Sequence, residues 1–262
     1  MQKRHIDFDR YFEEQSYTLR KHILPQIMKH KTINESTKVL EVGCGYGGNL
    51  IPFLELGCSV TGIDIRTKSI DFAKEKFADY PKEKVELIAA NFLEVNGLDN
   101  SFDIIFMKDT LEHIPNHYEV MFLLKRFLKD DGIIFQGFPP WYNPFGGHQQ
   151  MCENKLLSRL PWFHLSPRFL YKRILSGFGE RPSTVKSLLN NVYDCRITLQ
   201  GFKRMTSRIQ LTVLDQKLYF INPNYEVKFK LKPRTIPILL NIPYFRDFYI
   251  TTSYFILGKT KK

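Results

Sequence analysis

Residues 39–50, VLEVGCGYGGNL, leave few folds open to this chain. A short apolar run, Val39, Leu40 and Val42, reads as a strand that enters a glycine-rich turn and then a helix. Glycines at 43, 45, 47 and 48 permit positive φ and the close approach of a ligand. The following helix points free N–H groups at whatever sits before it. Such a turn suits a nucleotide-like ligand, and two classes compete for it. GCGYGG satisfies G-x-G-x-x-G, with Asp64 about twenty residues on at the end of a second strand, as in a dinucleotide site. Glu41, two residues before the first glycine, argues the other way. A carboxylate there suits a cationic amine and not a pyrophosphate.

Around this turn the chain alternates strands and helices. Residues 8–30 space Phe8, Phe12, Leu19, Ile23 and Ile27 mostly three or four apart, a helical period that Pro25 kinks or divides. That segment either lies over the turn as a lid or packs on the sheet. NLIPFLEL predicts a helix ending at Gly57. SVTGID (59–64), VELIAA (85–90), FDIIFM (102–107) and IIFQG (133–137) predict strands two to five. TKSIDFAKEKF and HYEVMFLLKRFLK predict helices among them, the latter ended by Asp130, Asp131 and Gly132. Short apolar strands alternating with helices predict an α/β fold with a doubly wound parallel sheet.

The pattern breaks at Phe138. Residues 138–197 contain no strand signal and are rich in Pro, Trp, Phe and basic residues. TLQGFKRMTSR, capped by Thr198, then restores a helix, and QLTVLDQKLYF (210–220) and YITTSYFILG (249–258) two strands. A second irregular, basic and aromatic stretch lies between those strands at 221–248. The expected parts are a core with its N-terminal helix (1–137), a helical cap or substrate insertion (138–197), and a final helix with a strand pair (198–262).

Charge divides the chain the same way. Residues 1–150 hold 18 basic and 21 acidic side chains, and the remainder 20 and 6, so the net +11 lies in the second part. At 43% hydrophobic and 25% charged, the composition is that of a soluble globular protein with a substantial core. MQKRHIDFDRYFEEQ lacks the apolar stretch of a secretory signal. The nearest approach to a membrane span, IPILLNIPYF (236–245), is short and holds two prolines. Cys44, Cys58, Cys152 and Cys195 have no metal-ligand or redox spacing and read as reduced thiols. A cytoplasmic protein is expected, with membrane-peripheral attachment as the variant.

Several blocks, in order, resemble the class I S-adenosylmethionine-dependent methyltransferases, with a likeness to their ubiquinone-pathway O-methyltransferase branch. EVGCGYG (41–47) resembles the glycine-rich motif and GID (62–64) the second-strand acid. AANFLE (89–94), FDIIFMKDTLEHI (102–114) and LKDDGIIFQGF (128–138) resemble the later strand motifs. The resemblance covers roughly 30–137 and the closing strand pair. It implies a mostly parallel seven-stranded sheet whose last strands are antiparallel, with S-adenosyl-L-methionine as cofactor and S-adenosyl-L-homocysteine as product. By position, Gly43, Cys44, Gly45, Tyr46 and Gly47 would form the turn, and Glu41 would support it or the methionine amine. Asp64 would accept from the ribose hydroxyls, with Ile65 and Arg66 beside the adenosine. The competing reading of Asp64 is a helix N-cap. Asn91, where the family commonly has Asp, and Phe92 would face the adenine, and the Lys108 backbone would run along the methionine moiety.

Methyl transfer from a sulfonium is an in-line displacement, so the protein mainly positions. An oxygen or nitrogen acceptor must also lose a proton, the usual task of histidine. His148, in PPWYNPFGGHQQ, is the first candidate, in a tightly turned loop whose aromatics would line an acceptor pocket. His113 is the second. Asp109-x-x-Glu112-His113 resembles an E-x-x-E-H cluster associated with a divalent metal in ubiquinone-pathway relatives, although capping and packing beneath the cofactor is the favoured reading of Glu112 and His113 and no metal is expected. KLLSRLPWFHLSPRFLYKRIL (155–175) and NYEVKFKLKPRTIPILLNIPYFRDFY (224–249) interleave basic and aromatic residues. They suit a solvated cap over the acceptor site, an anionic membrane or lipid-linked acceptor, or nucleic acid. No Asn-Pro-Pro-Tyr motif follows the fourth strand. The expected function is methylation of an oxygen on a small-molecule, glycan or lipid-linked acceptor. RNA methylation or an inactive binding module are the alternatives.

Overall fold

The computed structural model of the chain describes residues 7–237 and 242–260. The segment IPILLNIPYF therefore lies partly outside the described residues, at 238–241. The chain opens with α1 (Phe8–Thr18), capped by the Asp7 side chain, which accepts from the Arg10 N–H at 3.0 Å. A π-turn over Leu19–Ile23 precedes α2 (Leu24–Ile27), because Pro25 brings no N–H to the helical ladder. Then follow β1 (Lys38–Val42), α3 (Ile51–Glu55), β2 (Ser59–Asp64), α4 (Thr67–Lys76), β3 (Val85–Ala89) and β4 (Phe102–Lys108). After α5 (His117–Phe127) and β5 (Leu128–Phe138) come α6 (Arg168–Gly177), α7 (Pro182–Leu188) and α8 (Leu199–Arg208). The chain closes with β6 (Leu211–Tyr219), α9 (Asn224–Phe229) and β7 (Thr252–Lys259).

The seven strands lie in the order β3-β2-β1-β4-β5-β7-β6. The first five are parallel, and β7 runs antiparallel to both β5 and β6. Alternation along each strand sends side chains to two cores. On β4, Ile104 and Phe106 join Phe12, Leu19, Ile23, Phe53 and Ile70 on the face covered by α1 to α4. Ile105 and Met107 join Val120, Leu124, Phe127 and Phe202 on the face covered by α5 and α8. α8 begins as expected, with the Thr198 hydroxyl accepting from Gly201 N–H at 3.0 Å.

β5 departs from the expected start at residue 133. Its extended backbone begins at Leu128, and Asp130–Asp131–Gly132 do not form a turn. The register against β4 jumps from Phe102↔Leu128 to Ile104↔Ile133, so the extra residues bulge. Their charges are held by cations from elsewhere: Lys31 bonds Asp131 at 2.7 Å and Lys259 bonds Asp130 at 2.9 Å. The residues expected to end the preceding helix thus lie inside the strand, since α5 already stops at Phe127.

Residues 138–197 hold no strand and build a small core of their own from Trp141, Tyr171, Leu175, Leu188 and Tyr193. At its centre His164 donates from Nε2 to Trp141 O at 2.8 Å and accepts at Nδ1 from Gln149 at 2.7 Å. Burial lowers its pKa to about 4, which keeps it a neutral structural histidine. All four cysteines are free and buried. Among the described residues, no helix is long and apolar enough to cross a membrane.

Candidate active site

The glycine-rich turn stands at the C-terminal edge of β1, where ligands bind in open α/β sheets. Gly43, Gly45 and Gly47 adopt positive φ, at 73°, 55° and 84°. Gly48 does not. It is demanded by closeness, since a Cβ there would sit 2.3 Å from the Phe12 carbonyl oxygen of α1. The helix expected directly after the turn is reduced to the five residues of α3, with Pro52 in its first turn. The turn itself, and not a helix N-terminus, is what faces the cleft.

The turn's amides are largely spent on the protein. Gly43 N–H and Cys44 N–H both donate to Ile63 O, at 2.7 and 3.1 Å. Gly45 N–H donates to Asp64 Oδ2 at 2.8 Å, and Gly47 N–H to Cys44 O at 2.9 Å. Asp64 thus clips the turn to β2, and its other oxygen accepts from the Arg66 backbone at 2.9 Å. It does not cap α4, whose N-cap Arg66 has no side-chain cap. Ile65 beside it is 71% exposed.

Glu41 lies under the turn and is 1% exposed. Its Oε1 accepts from Asn49 Nδ2 at 2.7 Å, while its buried Oε2 has no hydrogen-bond partner among the described residues. Burial lifts its pKa to about 8, against the Asn49 hydrogen bond and the charge of Lys108. Glu41 is therefore largely protonated near neutral pH until a cation reaches it.

α1 covers the turn as a lid and also packs on the sheet. Phe8 stacks on Tyr46 with ring centroids 4.7 Å apart, and Tyr46 meets Phe72 edge-on at 5.2 Å. Further along, Phe12 joins the core. On the far side of the cleft, the Asn91 side-chain oxygen accepts from Leu93 N–H at 3.2 Å and caps a short turn. Phe92 points into the core against Phe127, at 5.8 Å, and not toward the cleft.

A second cluster sits at the ends of β4 and β5. Lys108 forms a buried ion pair with Asp109, whose backbone is left-handed at φ 52°. Burial works to lower the Lys108 pKa, but the adjacent carboxylate more than offsets this and raises it. Glu112 is buried with one carboxyl oxygen unpartnered among the described residues, and desolvation holds it well above the usual carboxylate range. His113 and His148 face each other with ring centroids 4.7 Å apart. A carbonyl only accepts, so the 3.0 Å bond to Asn191 O puts a proton on His113 Nδ1 and leaves Nε2 its lone pair. Desolvation, with a contribution from His113, lowers His148 to about 3, while Asp109 acts to raise it. Both rings are thus neutral near neutral pH.

Glu112, His113 and His148 each offer a ligand atom within 4.8 Å of the others. Asp109, the third member of the sequence motif, is instead engaged by Lys108. Trp141 is buried in the insertion core and Tyr142 stacks on Phe248 at 5.2 Å.

The sequence reading put a cap formed by 155–175 and 224–249 over the acceptor site. The 138–197 insertion brings His148 against the His113 ring and the Asn191 carbonyl onto His113 Nδ1. A cavity of about 70 Å³ beside Lys108 and Asp109 is closed by Tyr11, Gln15 and Thr18 of α1 and by Asn224 and Lys228 of α9. These residues were missed because α9 has only six residues in a stretch read as irregular, too few for a helical period to show. Glu226 ties α9 to the π-turn that follows α1, accepting from Lys21 at 2.7 Å and bonding His22 at 2.6 Å.

The family described as "Methyltransferase domain" matches residues 40–136. A ubiquinone biosynthesis O-methyltransferase of Haemophilus ducreyi is 34% identical over 37% of this chain and 43% of its own length. A demethylmenaquinone methyltransferase of Lysinibacillus sphaericus is 26% identical over 73% of the chain and 76% of its own. The chain spans less than half the length of the ubiquinone-pathway relatives it matches. Among solved structures, geranyl diphosphate C-methyltransferase from Streptomyces coelicolor A3(2), in complex with Mg2+, geranyl diphosphate and S-adenosyl-L-homocysteine, superposes with a TM-score of 0.57. That likeness covers 90% of this chain and 76% of that one at 15% identity, and it shows the shared fold.

Proposed function

We propose that the chain, whose residues 40–136 match the family described as "Methyltransferase domain", is an S-adenosylmethionine-dependent O-methyltransferase. The observation that carries the choice of cofactor is the unpartnered, buried Glu41 Oε2 beneath a turn whose amides are already donated inward. A pyrophosphate needs free N–H groups, which this turn has mostly spent. An ammonium needs a carboxylate, and Glu41 supplies one once its proton leaves. Asp64 would take the ribose hydroxyls if Arg66 swung aside, and the positive-φ glycines keep the turn free of side chains. When bound, the sulfonium supplies an electrophilic methyl that passes to an acceptor oxygen, leaving a neutral thioether.

The chain's own part is to hold the acceptor and take its proton. His148 is neutral, but the burial that holds it at about 3 also makes its ring a weak base, so it takes the proton only as methyl transfer acidifies the acceptor, with the Asp109 charge opposing that burial. His113, with Nδ1 tied to Asn191, keeps its ring fixed against His148. Peripheral contact with an anionic membrane is the finer partner reading. It is supported by Phe169, 75% exposed on α6 with Lys172 and Arg173 on the same exposed side.

Isothermal titration tests the cofactor: S-adenosyl-L-homocysteine is expected to bind and NAD not to, and the reverse would sink the proposal. For the base, His148→Ala is expected to lose turnover by about a hundredfold or more while keeping cofactor affinity. Unchanged turnover would remove His148 from the chemistry. Chelation with EDTA is expected to leave turnover intact, and a loss restored by a divalent cation would reassign Glu112, His113 and His148 as metal ligands.

A further inference from the structure

Outside the glycine turn and the histidine cluster, the two insertions meet at the surface in a chain of aromatic rings. Trp162, in the first insertion, donates from Nε1 to the Tyr142 carbonyl at 3.1 Å. The Tyr142 ring stacks on Phe248 of the second insertion at 5.2 Å, and Phe248 lies 6.0 Å from Phe245. Tyr244 beside it is 65% exposed, and its hydroxyl accepts from Arg204 at 3.1 Å. Trp162 and Tyr244 both have positive φ, at 58° and 66°, which strains a bulky residue. Strain that keeps an apolar ring in water gains nothing for the free chain. One short turn after Trp162, α6 adds Phe169, 75% exposed, with the exposed Lys172 and Arg173 three and four residues further along the same helix.

We propose that this surface docks the protein on an anionic lipid bilayer, with the rings at the level of the headgroups. The inference rests on the peripheral-contact reading above and gives it a footprint that spans both insertions. Charge selects the partner. Residues 155–178 hold five basic and no acidic side chains, and among the described residues only Arg168 of the five is ion-paired, with Asp194. A bilayer of anionic headgroups complements that set. An isologous contact with a second copy would bring the cations against their own copies. Leu156 and Leu160, also exposed, offer a nucleobase no ring to stack on, whereas acyl chains take them up favourably. The Trp162 N–H and the Tyr244 hydroxyl already have partners in the protein, so neither ring carries an unmet polar group out of water.

The test is co-sedimentation of the full chain with phosphatidylcholine vesicles, with and without phosphatidylglycerol. Sedimentation is expected only with phosphatidylglycerol. Phe169→Ala and Tyr244→Ala, one in each insertion, are each expected to weaken it about tenfold or more. Leu214→Ala, which removes an exposed apolar side chain from the edge strand β6, is expected to leave it unchanged. Melting temperature and the Kd for S-adenosyl-L-homocysteine should stay unmoved in all three variants, as a check on folding. Sedimentation that neither ring substitution weakens overturns this footprint and leaves peripheral contact to another face. Equal sedimentation with both kinds of vesicle overturns the anionic partner. No sedimentation with either overturns membrane contact altogether, and RNA binding or dimerisation that both substitutions then abolish reassigns the surface. None of these outcomes touches the methyltransferase reading, which falls only if the wild-type protein fails to bind S-adenosyl-L-homocysteine.

Discussion

The two ends of the cleft are built on different scales of sequence separation. At the glycine turn, Asn49 reaches Glu41 across 8 residues and Gly45 reaches Asp64 across 19. At the acceptor end, His113 meets Asn191 across 78 residues and His22 meets Glu226 across 204. The first end is a local motif whose geometry its own residues dictate. The second is assembled from the N-terminal helix, two strand ends and two insertions, none of which holds a complete site. A cofactor end written in one stretch can persist while the remote pieces around the acceptor change, so the fold alone does not specify the acceptor.

Three substitutions test that contrast. Gly43→Ala should do the most. Its Cβ would lie 2.3 Å from Thr110 Oγ1 on a backbone at φ +73°, so a loss of ~3 kcal/mol or more is expected, with cofactor binding abolished. A normal melting temperature would show that the turn tolerates side chains and that the local motif is looser than its geometry implies.

Glu41→Gln should have an intermediate, pH-dependent effect. The folded protein holds Glu41 at about 8 against an ordinary 4.5, so between those values the folded state binds more protons than the unfolded state. Wild-type stability from this group is therefore full below 4.5 and is lost as pH rises toward 8. Each pH unit across that window costs up to roughly 1.4 kcal/mol. Melting curves without ligand should show the variant gaining on wild type from pH 5 to 8, although its affinity for S-adenosyl-L-homocysteine falls. A pH-independent difference would mean that Glu41 is already ionised.

Glu226→Gln should do the least. The Lys21 and His22 bonds to Glu226 are near the surface, where ion pairs contribute little. Melting temperature should stay unchanged at physiological salt, with acceptor KM altered modestly and more so at low salt. A collapse of turnover would make this clamp between α9 and the π-turn after α1 a requirement of the proposed acceptor site.

How legible the molecule was follows the same division. Strands β1 to β4 were readable because buried parallel strands are short apolar runs, and Thr198 and Gly57 marked helix ends by local chemistry. β5 reads as starting at residue 133, later than it does, because its acids look like the end of a helix until Lys31 and Lys259 are brought to them. Asn91 reads as an adenine contact, yet in the fold its carbonyl caps the turn at Leu93. His113 and His148 were both named, but nothing in 34 intervening residues shows that their rings meet.

By itself, then, the sequence determined the nucleotide-type turn, the parallel sheet and the identity of Glu41 and Asp64 as its acids. These depend on period, glycine and proximity along the chain, all of which a linear string records. Only the tertiary structure decided that the turn's amides are spent inward, that Glu41 keeps an open oxygen among the described residues, and that α1 and α9 line the cavity beside Lys108 and Asp109. Those outcomes depend on which distant side chains reach a given atom and on how much water burial removes. Both are properties of three-dimensional packing that no spacing along the chain encodes.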